Sequence, residues 1–164
     1  MTSRVRHPSE KVLSWNEAVR RFGRPREDRV VFTNGCFDVI HRGHVEYLRA
    51  ARELGDRLIV GLNGDDSVRR LKGEGRPLNE FEDRALVLAS MEFVDAVVRF
   101  DEDTPLRLIE AILPDVLVKG GDYRPEEIVG AAEVIAAGGR VEVVPLVPGR
   151  STSSIIERVK ERGE

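Results

Sequence analysis

The sequence predicts an α/β domain with a doubly wound, five-stranded parallel sheet covered by helices on both faces. Uninterrupted Val/Ile/Leu runs of strand length recur along the chain, as strands buried on both faces require. Stretches with apolar residues at helical spacing separate each run from the next, the alternation expected of right-handed βαβ crossovers. The glycine-, histidine- and lysine-bearing motifs each fall just after a strand or at a helix start. That is the rim, beyond the carboxyl ends of the strands, where such sheets bind ligands.

In chain order, residues 1–10 are polar and read as disordered. Lys11–Phe22 reads as a short amphipathic helix with Val12, Trp15, Val19 and Phe22 near one face, and a loop over 23–29 follows. Strands are expected at Val30–Thr33, Leu58–Leu62, Ala96–Phe100, Val116–Val118 and Val141–Val144. Helices are expected at Val45–Leu54, Asp65–Leu71, Glu80–Met91, Pro105–Leu113, Glu126–Ala137 and Ser153–Arg162. Lys72–Pro77, with two glycines and a proline, reads as a mobile surface loop. No internal repeat or low-complexity tract divides residues 1–164, so a single domain is expected.

At 164 residues the chain can bury roughly 70% of its unfolded surface. A formal charge of −3 and a pI near 5.7 argue against a nucleic-acid-binding surface, which would be basic. No apolar run approaches the ~20 residues of a membrane span, and Met1–Arg6 lack the apolar core of a signal peptide. The one cysteine makes no internal disulfide, which fits a reducing, cytoplasmic compartment.

The most informative stretch is Phe32-Thr33-Asn34-Gly35-Cys36-Phe37-Asp38-Val39-Ile40-His41-Arg42-Gly43-His44. An apolar strand enters a glycine-containing turn, and two histidines about one turn apart open a helix. A helix N-terminus carries unpaired N–H groups and partial positive charge, so it is already an anion site. Imidazoles on its first turn add donors aimed at the same place, an arrangement suited to reaction at a nucleotide phosphate. A metal centre is not expected, because no further His or Cys has ligand spacing. Cys36 could act as a nucleophile beside His41, but a small, buried apolar role fits it better.

Other stretches carry two readings each. Lys119-Gly120-Gly121-Asp122-Tyr123 follows a strand; its glycines permit close approach to a base and ribose, and Asp122 can accept from a ribose hydroxyl. An ordinary turn is the alternative. In Arg150-Ser151-Thr152-Ser153-Ser154, Ser154 with Glu157 fits a capping box. The remaining hydroxyls and the arginine exceed what a cap requires and suit the phosphates of a departing pyrophosphate. Asn63, Asp65 and Asp66 could hold sugar hydroxyls or form a turn and cap. Glu80 and Arg84 are spaced for a surface ion pair, and spacing alone makes Lys72 a solvated charge.

Taken together, His41-Arg42-Gly43-His44, Leu71-Lys72-Gly73-Glu74-Gly75-Arg76-Pro77, Lys119–Tyr123 and Gly149–Ser153 resemble the cytidylyltransferase-like nucleotidyltransferases. Their order and spacing are similar to one branch, the adenylyltransferase domain of the ADP-heptose synthases, here free-standing. The likeness covers roughly residues 11 to 160. It implies a Rossmann-like nucleotidyltransferase fold in which His41 and His44 stabilise the α-phosphate at the transition state. Lys72 would bridge substrate phosphate and nucleotide as its loop closes, assisted by Arg76, with Arg84 at the substrate or pyrophosphate side.

The resemblance places Thr33, Asn34, Gly35 and Phe37 at the nucleotide, with Lys119, Gly120, Asp122, Arg150, Ser151, Thr152 and Ser153. It places Asp38, Asn63 and Asp65 toward the acceptor, although Asp38 could instead orient the turn. The implied reaction moves AMP from ATP, accompanied by Mg²⁺, onto D-glycero-β-D-manno-heptose 1-phosphate. A homodimer, and a separate heptose kinase and phosphatase supplying the acceptor, are also implied. A glycerol 3-phosphate cytidylyltransferase or another adenylyltransferase is the rival within the class. A non-catalytic nucleotide-binding module is the rival outside it.

Overall fold

The computed structural model describes residues 4–163. Six strands, all parallel, lie in the order β1-β4-β3-β2-β5-β6. They are β1 (Val12–Leu13), β2 (Val30–Gly35), β3 (Arg57–Asn63), β4 (Ala96–Phe100), β5 (Val116–Gly120) and β6 (Arg140–Val144). The helices are α1 (Trp15–Phe22), α2 (Arg42–Arg52), α3 (Asp65–Lys72), α4 (Phe81–Ala89), α5 (Leu106–Ile112), α6 (Ala131–Ala136) and α7 (Thr152–Arg162).

The five expected strands are present, and a sixth joins them. Val12 and Leu13 pair with Val97 and Val98 at the sheet edge instead of continuing a helix from Lys11. Helix α1 starts only at Trp15, because Ser14 accepts from the amide of Glu17 (3.2 Å) while the Glu17 carboxylate accepts from the amide of Ser14 (2.9 Å). Of the stretch expected to be disordered, residues 1–3 lie outside the described residues, and Pro8–Lys11 form a 3-10 turn capped by His7. The helix expected over Glu126–Ala137 is broken. Pro125–Glu127 is a 3-10 turn, and Gly130, at φ +86°, sets the α-helix to begin at Ala131.

Alternate residues of each strand feed two cores, one on either face, which is why the strands read as continuous apolar runs. Val31, Leu58, Val60, Leu62, Val97, Val116 and Val118 pack with Leu48 of α2 and Ala85 and Leu88 of α4. Val30, Phe32, Ile59, Val98 and Leu117 face the other way, against Leu108, Ile109 and Ile112 of α5 and Val134 of α6. The chain runs from β2 outward through β3 and β4, then returns to lay β5 on the opposite side of β2. Connections therefore diverge at the carboxyl ends of β2 and β5 and leave a crevice there.

The amino end of the sheet is closed by charge. Arg26, largely buried, donates Nε and Nη2 to Asp115 (3.1 and 3.0 Å) and further N–H groups to the carbonyls of Phe22, Ile112 and Leu113. Asp115 also accepts from the amide of Val30 (2.8 Å) and from Arg24 (3.3 Å).

Candidate active site

A cleft of about 650 Å³ occupies the crevice at the carboxyl ends of β2 and β5. Its floor is fixed by Tyr47 of α2, whose hydroxyl donates to the carbonyl of Val118 (3.2 Å) and accepts from Thr33 (2.6 Å). This bond ties α2 to both strands at the point where they part. Thr33, expected at the nucleotide, is fully buried and spends its hydroxyl on Tyr47, so it supports the floor without lining the cleft. Burial pushes the Tyr47 phenol up to about 12.

Past Gly35 the chain turns through Phe37, at φ +44°, and enters α2 with His41 as N-cap. His41 Nδ1 accepts from the amide of Gly43 (3.0 Å), and His44 Nδ1 accepts from the amide of His41 (3.4 Å). Two histidines thus form a reciprocal cap. Because each Nδ1 is an acceptor, the neutral rings carry their proton on Nε2, free to donate elsewhere. The rings stack with centroids 3.9 Å apart. Burial, reinforced by His41, pushes His44 down to about 4; burial, then the charge of Arg150, also lowers His41. Both are therefore neutral donors at pH 7. A Cβ on Gly43 would lie 2.8 Å from the His41 ring and 3.2 Å from Arg150 Cβ, so only glycine lets these groups converge.

Asp38, in the same turn, is buried and directed at the chain following the Lys72 loop. Its carboxylate accepts from the amides of Leu78 and Asn79 and from Arg76 Nε. Burial alone would raise this carboxyl, but the amides of Asn79 and Leu78 and the Arg76 guanidinium outweigh it and hold it below its ordinary value. Asp38 lines the cleft, as expected, and its carboxylate also orders the turn through these bonds.

Arg84 lies under the cleft, not in it. Its fully buried guanidinium donates to the carbonyls of Asn79 (2.9 Å), Cys36 (2.7 Å) and Asn63 (2.8 Å) and to Asp65 (2.6 Å). The pairing expected with Glu80 is replaced by one with Asp65, and neither Arg84 nor Asp65 lines the cleft. Asn63 does line it, with its amide group donating to Ser67 (3.0 Å).

The remaining expected residues converge in part. Asn34, Gly35, Phe37, His41, His44, Lys72, Arg76, Lys119 and Arg150–Ser153 all line the cleft. Gly120 and Asp122 do not, although a Cβ on Gly120 would sit 2.8 Å from Leu146 and 3.1 Å from Tyr47, so glycine is needed there for packing. Lys72 is the last residue of α3, with Gly73 and Gly75 after it at φ +96° and +83° in open space. Lys119 lies 5.3 Å from the Tyr123 ring centroid, and its ammonium is lowered chiefly by burial. Cys36, expected to be buried, is only partly so and lines the cleft; its burial still raises the thiol and keeps it protonated.

Helix α7 is capped by Ser151 with Ser154, one turn earlier than the Ser154–Glu157 box expected from the sequence. Thr152 donates to the carbonyl of Val39 (3.1 Å), which holds the start of α7 against the histidine turn. The N-termini of α2 and α7 consequently share one cleft with Lys72, Arg76, Lys119 and Arg150. The cleft of this chain of net charge −3 thus carries a small excess of positive charge, these four cations against Asp38, Asp103 and Glu127. Sequence reasoning missed Tyr47, the apolar wall of Ile128, Leu146 and Val147, and Asp103–Pro105 at the rim. Tyr47 falls three residues after His44 on the same helix face, a signal that was readable. The others lie in loops whose fold brings them in without a local pattern.

Among the described residues no three His, Cys, Asp or Glu side chains cluster as metal ligands, and no helix is long and apolar enough to cross a membrane. A family model described as cytidylyltransferase-like matches residues 32–158. The bifunctional protein HldE of Shewanella sediminis is 62% identical over 136 residues, 83% of this chain and 29% of that protein. HldE of Vibrio cholerae is 60% identical over 144 residues, 88% of this chain and 30% of its own length. The chain thus spans under a third of these relatives. The crystal structure of the lipopolysaccharide core biosynthesis protein from Thermoplasma volcanium superposes with a TM-score of 0.61. At 24% identity it covers 74% of this chain and 98% of that one, a likeness of fold.

Proposed function

The chain belongs to the cytidylyltransferase-like family, and from that premise we propose that it transfers AMP from ATP to D-glycero-β-D-manno-heptose 1-phosphate, releasing pyrophosphate. The observation that carries the reading is the pair of Nε2–H donors at the start of α2, facing a cleft shared with Lys72 and the N-terminus of α7. A sugar phosphate is already ionised at neutral pH, so its oxygen attacks the α-phosphorus in line without a general base. The charge that builds on the α-phosphate is met by His41 and His44, donors fixed before reaction begins. Two phosphates brought together repel strongly, and Lys72 between them offsets that repulsion. The free N–H groups and hydroxyls at the start of α7, with Arg150, receive the departing pyrophosphate. The apolar wall of Ile128, Leu146 and Val147 suits the face of a base.

Among the described residues no acidic cluster would cage a cation, so Mg²⁺ would enter with the triphosphate and, when bound, would neutralise phosphate charge. The heptose acceptor is favoured by the Leu71–Pro77 and Lys119–Tyr123 wording and by about 60% identity to HldE proteins. In this reading the protein works in the cytoplasm as a homodimer, downstream of a heptose kinase and a phosphatase, toward lipopolysaccharide.

Pyrophosphate release from a panel of sugar phosphates with ATP and CTP tests it. A site that hydrogen-bonds particular hydroxyls rejects analogues lacking them by large factors. Heptose 1-phosphate with ATP is expected to exceed glycerol 3-phosphate with CTP by at least about a hundredfold in kcat/KM, roughly 2.7 kcal/mol. Comparable rates for the two pairs would overturn the acceptor assignment.

A further inference from the structure

We infer that Asp38 is a positioning residue that clamps the downstream end of the Lys72 loop to the histidine turn, so that Lys72 and the histidines close on the same phosphate. The inference rests on the adenylyl-transfer reading above. Asp38 lies three residues before His41, and every hydrogen bond of its carboxylate goes to residues 76–79. Oδ1 accepts from the amides of Leu78 (2.9 Å) and Asn79 (2.9 Å); Oδ2 accepts from Arg76 Nε (2.8 Å) and the Leu78 amide (2.8 Å). The backbone carbonyl of Asp38 accepts from Asn79 Nδ2 (2.7 Å). Asn79 in turn gives its own carbonyl to Arg84, which also holds the carbonyl of Cys36, two residues before Asp38. Residues 76–79 are therefore bolted to the turn from two sides.

Upstream the situation is the opposite. Gly73 and Gly75 stand at positive φ with nothing within 4 Å of where a Cβ would be. Only residues 73–75 are left to move between Lys72 and the fixed point at Arg76. A buried carboxylate is costly unless fully hydrogen-bonded, and the bonds of Asp38 are spent on loop geometry. The reach of Lys72 is thus measured from the same turn that aims His41 and His44. A misplacement of about 1 Å at the reacting centre can cost on the order of a hundredfold in rate.

Asp38→Asn keeps the shape of the side chain but removes its charge, and its NH2 meets two donors whichever way it sits: the amides of Leu78 and Asn79 in the place of Oδ1, or Arg76 Nε and the amide of Leu78 in the place of Oδ2. In the full chain, kcat is expected to fall about a hundredfold with KM for ATP changed by less than about threefold. Hydrogen exchange of the ligand-free protein should quicken at residues 76–79 and stay unchanged in β2 and β3. In a Lys72→Ala background the same substitution should lower kcat by less than a further ~threefold, since both changes act through one lysine. Multiplicative losses in the double variant, or unchanged exchange at 76–79 in an active enzyme, would overturn the clamp alone. Wild-type protein that releases no pyrophosphate with any acceptor would overturn the reaction reading and this role with it. Should Asp38→Asn fail to fold, Asn79→Ala removes only the outer bond, and the same exchange and kcat-against-KM readouts apply with smaller effects.

Discussion

At His41 and His44 the ordinary task of capping a helix and the proposed task of stabilising a phosphate fall on different ring nitrogens. Nδ1 of each is taken by a backbone amide, which leaves Nε2–H as a donor held in place before substrate arrives. Removing one preorganised donor to a transition state costs about 10²–10³ in rate, roughly 3–4 kcal/mol. His44→Ala should therefore lower kcat by that factor while KM for ATP changes little; a variant retaining more than half of wild-type turnover would remove α2 from the mechanism. The depressed His44 has a second consequence, in stability. Below its ordinary value of 6.5 the unfolded chain takes up a proton, whereas the folded protein does not until about pH 4. Stability from this group is present above about pH 6.5 and is lost as pH falls toward 4. Urea unfolding at pH 7 and pH 5 should show the loss, and His44→Ala should flatten it. The pair itself was readable from sequence, as was its place after a strand. Its tautomer was not, because it depends on backbone amides that only the folded turn directs at the rings.

The strands and most helices were readable because burial on both faces leaves an unbroken apolar run, and helical spacing fills the gaps. What escaped was set by features shorter than a period or by distant partners. A two-residue strand has no periodicity, and the spacing of Val12, Trp15, Val19 and Phe22 runs unbroken past the cap at Ser14. Arg84 shows the second kind of miss. Four residues after Glu80 on a helix, it reads as half of a surface pair, yet the carbonyls of Cys36, Asn63 and Asn79 converge on it from the ends of β2 and β3 and from the loop. No local pattern announces that convergence. Arg84→Met would leave those carbonyls and Asp65 without their donor, a kind of loss that costs about 3 kcal/mol or more. Chemical denaturation should show a drop of that size. Wild-type stability combined with a raised KM for the acceptor would instead return Arg84 to the substrate side.

Along the strand axis the molecule divides its labour. The carboxyl ends of β2 and β5 carry the cleft, where glycines, capped helix starts and cations leave room and charge for a ligand. The amino ends carry the Arg26–Asp115 network, which binds together the start of β2, the end of α5 and the loop after α1. Between them lie two apolar cores separated by the sheet, stiff enough to fix both ends independently. Such a division allows the amino end to lose stability without disturbing chemistry at the other. Asp115→Ala strips a nearly buried guanidinium of its carboxylate and orphans the amide of Val30, leaving Arg26 only its carbonyl partners. Breaking a pair of this kind costs about 3 kcal/mol, and for a domain of this size that lowers Tm by roughly 6–12 °C. Turnover per folded molecule at 25 °C should nevertheless stay within about twofold of wild type, because no cleft residue touches Asp115. Parallel melting curves and initial rates distinguish the outcomes. A fall in kcat matching the loss of stability would mean that the two ends of the sheet are energetically coupled, and the cleft would then depend on the whole length of β2 and β5, not only on their tips.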